Sequence, residues 1–570
     1  MVILREAENL IRTNTFGPTL EPREFTPDEQ IVLKHFFTNL DKNIYAATDA
    51  LPNSLWALLE GGYSRSQLSM RLRFLEIFTE MEEEFKQKKL PKEDLVTLKE
   101  MAQQIRSGAS LNLTFFLGKA EQFMRKWAVQ YGHDSLKDSD LVRFAIENVT
   151  QTAVNPIEEA RLGAYQEKST RYVEFSRNSL IVPTDLEEFS TEIREWNNLL
   201  MTNYEQAKEI VSAFIKKRLD RNEFKTEAAF ERTVNAKTFD LIRYFLPATM
   251  LTSLGVVWPT REAERHISYL LSDEREEIRT IGKALLEEGK KVSPGLLSHV
   301  AVNEYQIKRK AAIIEISQNL TLPIPPANAG RNLEAVKLID LTPEIEERIA
   351  ATILFENTPG GNSFIDFLDL CKKNSDLVPE IFENFLASRG KFDPFPNCTE
   401  TGTLTFELTL DYGAYRDLKR HRRNLFLRAP ITAKIGFEYP QFVENEPELA
   451  EIKQRIRHCA EKTTILHCQI KKKSPRLAEY IIMFAHKQRI LWQMDPRQFV
   501  YIIELRTAPA GHHSYRTICQ QMFKLIEPHL PLLSKYIRVD LSSGEEGRKK
   551  QEEKTVEKLQ ALGADAQKLY

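Results

Sequence analysis

Two similar helix starts lie far apart in this chain, FTPDEQIVLKHFFT at 25–38 and DLTPEIEERIAATI at 340–353. Each sets Thr-Pro-acid (Thr26-Pro27-Asp28; Thr342-Pro343-Glu344) ahead of an amphipathic stretch. Threonine as cap, proline at the first helical position and acids in the first turn suit the unpaired amides of a helix N-terminus. A start repeated at this separation points to a duplicated architecture. Between the two lies TLPIPPANAGRN (321–332), whose prolines cannot continue a helix, and it reads as a linker. The expected units are 1–320, with an N-terminal helical extension, and 333–541, followed by a charged tail at 542–570. A chain of 570 residues exceeds one ordinary core, which agrees with two units.

Both units read as α+β and helix-rich. Residues 98–127 and 261–290 carry apolar positions at helical spacing, while TLTFELTLD (403–411) alternates as a strand does. RQFVYIIELR (497–506) suits either a strand or a buried helix. Lys plus Arg (79) nearly balances Asp plus Glu (81), which argues against a general nucleic-acid or membrane-surface binder, so any anion site must be a local cluster. The sequence has no apolar run long enough for a transmembrane helix and nothing resembling a signal peptide. Five scattered cysteines suit reduced thiols and a cytoplasmic protein. His458-Cys459 and His467-Cys468 fit no common zinc spacing, so no metal is expected.

Three segments are candidates for chemistry. In EEARLGAYQEKSTRY (158–172), Glu167, Ser169 and Arg171 alternate and would project to one side of an extended loop. DYGAYRDLKRHRRNLFLR (411–428) concentrates Arg416, Lys419, Arg420, His421, Arg422, Arg423 and Arg428 in what reads as a basic helix. Arginine forks grip phosphate or carboxylate in bidentate fashion. Against the balanced overall charge this run is conspicuous. Arg497 and Arg506 bound the apolar run of the third segment, nine residues apart.

Together these residues resemble the flavin-dependent thymidylate synthases. In that family a Gly-His pair precedes an Arg-His-Arg motif, followed by a Glu-x-Ser-x-Arg loop, an arginine before Leu-Pro, and an Asn-x-Arg with a further arginine nine residues on. In the first copy Gly132-His133 and Ser135 match the early motif, and Glu167, Ser169, Arg171 and Arg243 match the loop and the Leu-Pro arginine. Glu159-Ala160-Arg161 stands in place of Arg-His-Arg, Pro259 replaces the asparagine, and Leu270 the last arginine. In the second copy Arg420-His421-Arg422 matches in full, and Arg497 and Arg506 keep their spacing after Asp495. There Arg428, Pro430 and Thr432 replace the loop residues, and Glu479 replaces the Leu-Pro arginine. The losses are complementary. The family builds its sites between subunits, so the resemblance implies one composite site between the copies.

The resemblance implies two tandem copies of the thymidylate synthase-like fold, converting dUMP to dTMP with methylenetetrahydrofolate as carbon donor and FAD, reduced by NADPH, as hydride source. It implies that Glu167, Ser169, Arg171, Arg243 and Arg420 bind the nucleotide. Arg420, His421, Arg422, Arg497, His133 and Ser135 would serve FAD. Arg506 would act at the pyrimidine, stabilising charge that develops on the ring. Three departures leave two other readings open, a flavoenzyme with a different pyrimidine or carbon donor and a non-catalytic nucleotide-binding scaffold. GKFDPFPNCTETGT (390–403) shows no Gly-His motif, both distal asparagines are gone, and Asp417 stands where a glutamine usually touches the nucleotide. Single-copy members are tetramers, so a homodimer is expected here, with one working site per chain.

Overall fold

A computed structural model describes residues 25–40, 45–63, 69–87, 95–124, 137–171, 173–318, 320, 334–544 and a few positions between 547 and 557. His133, Ser135 and the expected linker at 321–332 lie outside the described residues.

Among the described residues five helices come first: α1 (Pro27–Phe36), α2 (Asn53–Tyr63), α3 (Met70–Lys86), α4 (Leu98–Ser107) and α5 (Thr114–Met124). They close over a core of their own, which includes Val32, Phe36, Phe74, Phe78 and Phe116. Thr26 caps α1 in a reciprocal pair with Glu29, with Pro27 in the first turn, as its sequence predicts. The helical pattern at 98–127 is broken by Gly108, whose left-handed φ of 68° ends α4.

The next elements are β1 (Leu141–Thr150), α6 (Gln151–Ile157), β2 (Ala164–Glu167), α7 (Ser190–Arg218), α8 (Glu227–Ile242), β3 (Leu251–Pro259), α9 (Thr260–Leu271), α10 (Glu276–Val292) and α11 (Glu304–Gln318). The second half holds β4 (Val336–Leu341), α12 (Ile345–Asn357), α13 (Phe364–Lys373), α14 (Leu377–Leu386), β5 (Leu404–Asp411), α15 (Tyr412–Leu418) and β6 (Leu425–Arg428). It continues with α16 (Gln441–Asn445), α17 (Ala450–Lys471), β7 (Lys487–Met494), α18 (Pro496–Arg506), α19 (His513–Ile526) and α20 (Pro531–Ser534). Helices and antiparallel sheets are thus mixed in both halves.

The halves repeat one plan. Their sheets run β1-β3-β2 and β5-β7-β6, with β4 added at the edge of the second. Each first strand feeds directly into a seven-residue helix, capped by Thr150 or Asp411. Backbone bonds fix both turns alike: Gln151 N–H donates to Met250 O (3.0 Å) and Tyr412 N–H to His486 O (3.0 Å). Both β3 and β5 are paired on both sides, but β5 is buried along nearly its whole length, whereas β3 alternates as a strand with one covered face does.

The repeats meet along an antiparallel backbone bridge. Ala248 N–H donates to Ile482 O and Phe484 N–H to Leu246 O, both at 2.9 Å, across a Pro247–Met483 bridge. One core crosses the boundary: Leu200, Tyr204 and Val211 belong to the same buried cluster as Ile452, Ile456 and Ala460. The Trp196 indole donates to Thr463 Oγ1 (2.7 Å), joining α7 to α17.

Two local expectations are corrected. Thr342 does not cap a helix; its Oγ1 accepts from Thr403 N–H (2.9 Å), and α12 begins only after Glu344, which is left-handed at φ 55°. The basic run is not one helix, because α15 ends at Leu418 and the motif Arg420-His421-Arg422 sits in the turn before β6. Residues 497–506 resolve as helix α18, burying Phe499, Val500, Ile502 and Ile503, with Asp495 as its N-cap. No helix among the described residues is long and apolar enough to cross a membrane.

Candidate functional site

The seven-residue helix α15 carries second-half charges into the first half. Arg416 donates to Glu167 Oε1 (2.5 Å) and to Thr170 Oγ1 (3.1 Å), and the Glu167 carboxylate is wholly buried. Lys419 pairs with Glu158 (3.0 Å) and donates to Asn155 Oδ1 (3.1 Å). Arg420 lies 3.8 Å from the other Glu167 oxygen but keeps 43% of its side chain exposed. Arg422 donates to Gly163 O (2.8 Å) and lies over the Tyr165 ring.

Glu167, Ser169 and Arg171 do not form the extended array expected from their alternation. Ser169 starts a turn, accepting from Arg171 N–H at 3.2 Å, and so the neighbouring side chains diverge. Glu167 points to Arg416, while Arg171 grips Asp240 through two bonds (2.7 and 2.9 Å). Arg171 also donates to the Tyr515 hydroxyl (3.3 Å), and the Arg506 guanidinium lies over the same ring. Arg243, buried at the end of α8, donates to Asp417 (3.1 Å). Burial by itself would raise the Asp417 pKa, but Arg243, Arg171, Arg420 and Arg506 together hold the carboxyl below its ordinary range. The charges of four arginines, two from each half, thus act on one carboxylate, with Arg243 in direct contact.

His421 is a neutral hydrogen-bond acceptor in this arrangement. Its Nε2 accepts from Arg506 Nε at 2.8 Å, so the ring proton belongs on Nδ1. Burial, with the Arg506 and Arg422 charges, pushes its pKa down to about 3. The imidazole of His421 is therefore expected to stay neutral down to about pH 4 in a nitrogen-detected NMR titration. An ordinary midpoint near 6.5 would refute the geometry.

Other expected site residues lie elsewhere. Arg497 donates to Phe395 O (2.7 Å) and Glu400 (2.6 Å), pinning the segment before β5. Leu270 is core, wholly buried. Sequence reasoning passed over Asp240, Tyr515 and the buried pair His512-His513. His512 Nε2 bonds Asp240 O (2.9 Å) and His513 Nε2 bonds the Tyr244 hydroxyl (3.2 Å). Asp240 stands three residues before Arg243 on one helix face, and GHHSY follows Arg506 in a Pro/Gly loop; both signals lie in the sequence. A cavity of about 360 Å³ meets the cluster at Asp240, lined also by Lys237, Gly511, His513 and Arg516.

The mirrored junction is built with inverted signs. Glu479, in the place corresponding to Arg243, is wholly buried between Arg476 (2.8 Å), Arg275 (3.4 Å) and Arg428 (3.8 Å). Arg275 is in turn held by Asp273 through two bonds (2.8 and 3.0 Å). Protein side chains fill this position with an ion cluster.

The sequence model of a family described as "Thymidylate synthase complementing protein" matches the chain twice, over residues 83–295 and 337–532. The chain belongs to this family. The resemblance drawn from the motifs is borne out, and the two matched segments agree with a tandem duplication. A "UPF0159 protein" of Chlamydia muridarum is 29% identical over 552 residues, covering 93% of this chain and 98% of that protein. "UPF0159 protein Ta1429" of Thermoplasma acidophilum is 28% identical, covering 74% of this chain and 89% of its own. A solved UMP/dUMP methylase of Streptomyces cacaoi, bound with 5-Br dUMP, aligns at 14% identity and a TM-score of 0.28, over 35% of this chain and 93% of that one.

Proposed function

We propose that this family member is built from two tandem copies of the thymidylate synthase-like fold, in units 1–320 and 333–541, and methylates dUMP to dTMP at a single composite site. The Arg243–Asp417 ion pair across the halves, with Arg171 and Arg506 meeting at the Tyr515 ring and the Arg420 charge also acting on Asp417, supports the reading. A phosphomonoester carries close to two negative charges and three strong acceptors, which such a cluster can hold. Arg171, Arg243 and Arg420 bind the nucleotide with Glu167 and Ser169. Arg506 offers a fixed cation to charge developing on the pyrimidine, in a pocket where it need not reorganise. His421 keeps Arg506 in place through the bond to its Nε.

FAD fits the turn after α15. Arg420 and Arg423 present exposed guanidinium groups there. Arg422 Nε, both polar atoms of the Asn424 side chain and the Trp492 indole nitrogen are buried with no hydrogen-bond partner among the described residues. Buried polar atoms of this kind normally have partners, and a polar ligand at the turn would supply them. Arg420, His421 and Arg422 would hold the group, and Arg497 would act only through the Phe395–Glu400 segment. A bound flavin supplies the hydride that completes the methyl group, with methylenetetrahydrofolate as carbon donor and NADPH as reductant.

A second reading, a non-catalytic nucleotide-binding relative, is favoured by the pairing of Arg171 and Arg243 with internal carboxylates. One experiment separates the two. Protein incubated with C5-tritiated dUMP, FAD, methylenetetrahydrofolate and NADPH is expected to release tritium, and flavin to saturate at one per chain in a homodimer. A chain that neither retains flavin nor releases tritium is the scaffold.

A further inference from the structure

We propose that Asp417 is an internal anion seated on Arg243, so that a phosphate monoester enters this site by displacing it. The inference rests on the nucleotide-binding reading above and adds the residue that sets affinity.

Three observations carry it. First, Arg243 is 1% exposed, yet among the described residues its side chain makes a single hydrogen bond, from Nη1 to Asp417; its Nε and Nη2 are buried without partners there. The contrast is Arg171, which meets Asp240 through two bonds. A guanidinium holding a carboxylate at one point leaves donors that a phosphate, with three acceptor oxygens, could satisfy. Second, the guanidinium cannot retreat. It lies against Gly413, where an added Cβ would come within 3.0 Å of its Cζ, Nε and Nη2. Third, Asp417 can yield. It stands near the end of α15, retains 15% exposure, and is followed by the turn that carries the exposed Arg420. The neighbouring Arg416–Glu167 bond anchors the helix, so Asp417 can turn away without undocking it.

The balance is an exchange of one anion for another. In the free protein the carboxylate neutralises Arg243. In the complex the phosphate does so, and Asp417 moves toward Arg420 or solvent. The chain therefore binds a monophosphate more weakly than the four arginines alone would, and the weakness resides in one side chain.

The test is calorimetric titration of the full chain and of Asp417→Asn with dUMP, inorganic phosphate and deoxyuridine. The variant is expected to bind dUMP and phosphate at least tenfold more tightly, with deoxyuridine unchanged. It should also unfold at a lower temperature than the parent in phosphate-free buffer and recover when phosphate is added, because the anion replaces the lost carboxylate. Equal or weaker phosphate and dUMP binding by the variant would overturn the proposal and make Asp417 a ligand-holding group. If neither protein binds dUMP or phosphate, the nucleotide reading falls as well. Should Asp417→Asn not fold, the neutral double variant Asp417→Asn/Arg243→Gln decides. Its dUMP affinity should fall at least tenfold below the parent, and parental affinity there would overturn the proposal.

Discussion

Glu479→Ala is expected to destabilise the chain by about 3–5 kcal/mol, because it strands three buried or half-buried arginines without their common counter-ion. Arg476, Arg275 and Arg428 all lie within 3.8 Å of this one wholly buried carboxylate. Removing it leaves cations that were desolvated during folding. Arg275 still donates to Asp273 and Arg476 to Glu274, but no ion pair among the described residues replaces Glu479 for Arg428. Urea unfolding measures the loss, and Glu448→Ala is the control. The Lys217–Glu448 pair is largely exposed, at 71% and 54%, and its loss should move stability by less than about 1 kcal/mol. A loss at Glu479 no larger than at Glu448 would mean that the cluster is hydrated. The same pair of proteins gives a pH test. Burial raises the Glu479 pKa, but Arg428, Arg476 and Arg275 outweigh it and hold the group below its ordinary value. Its folded pKa thus lies below the unfolded one. The stabilisation is complete above the unfolded value of about 4.3 and is lost as pH falls through the folded value. Glu479→Ala should therefore show a flatter acid limb than the parent.

Arg506→Ala is expected to lower turnover by roughly 10²–10³, the usual effect of deleting a preorganised charge from a transition-state pocket. Arg171→Ala, in the opposite half, is expected to abolish measurable dUMP binding. The corresponding positions in the other copies should behave differently. Leu270→Met swaps one buried apolar side chain for another of similar volume and should cost less than about 1.5 kcal/mol, with turnover unchanged. Thr432→Ser should be silent. Steady-state kinetics with all four variants provides the comparison, with circular dichroism as a check on folding, since Arg171→Ala also strands Asp240. If Thr432→Ser proved as damaging as Arg171→Ala, both junctions would be working sites and the single-site reading would fail.

Periodicity and capping make many of the elements legible in the sequence. The Thr26 capping box and the end of α4 at Gly108 rest on contacts within a few residues, and the strand at Leu404–Asp411 shows in its local alternation, so the local sequence dictates all three. The division of motif residues between two copies is legible too, since it needs only identity and spacing. Where expectation failed, the deciding contact came from far along the chain. Thr342 carries the same signal as Thr26, yet Thr403, just before β5, claims its side chain, so the helix begins only at Ile345. The 497–506 run, which periodicity left open between strand and helix, is a helix, capped locally by Asp495 and buried along one face. Glu167 and Arg171 alternate in sequence but part in space, one drawn to Arg416 and the other to Asp240.

By itself, then, the sequence determined the duplication, the local elements and which charged residues each copy retained, because these follow from short-range chemistry. Tertiary structure alone decided the pairing of those charges. Packing the halves against each other buries more arginines than a pocket of one sign could tolerate. Each buried cation must find an anion, and Asp240, Asp417 and Glu479 are drawn from distant segments to meet that demand.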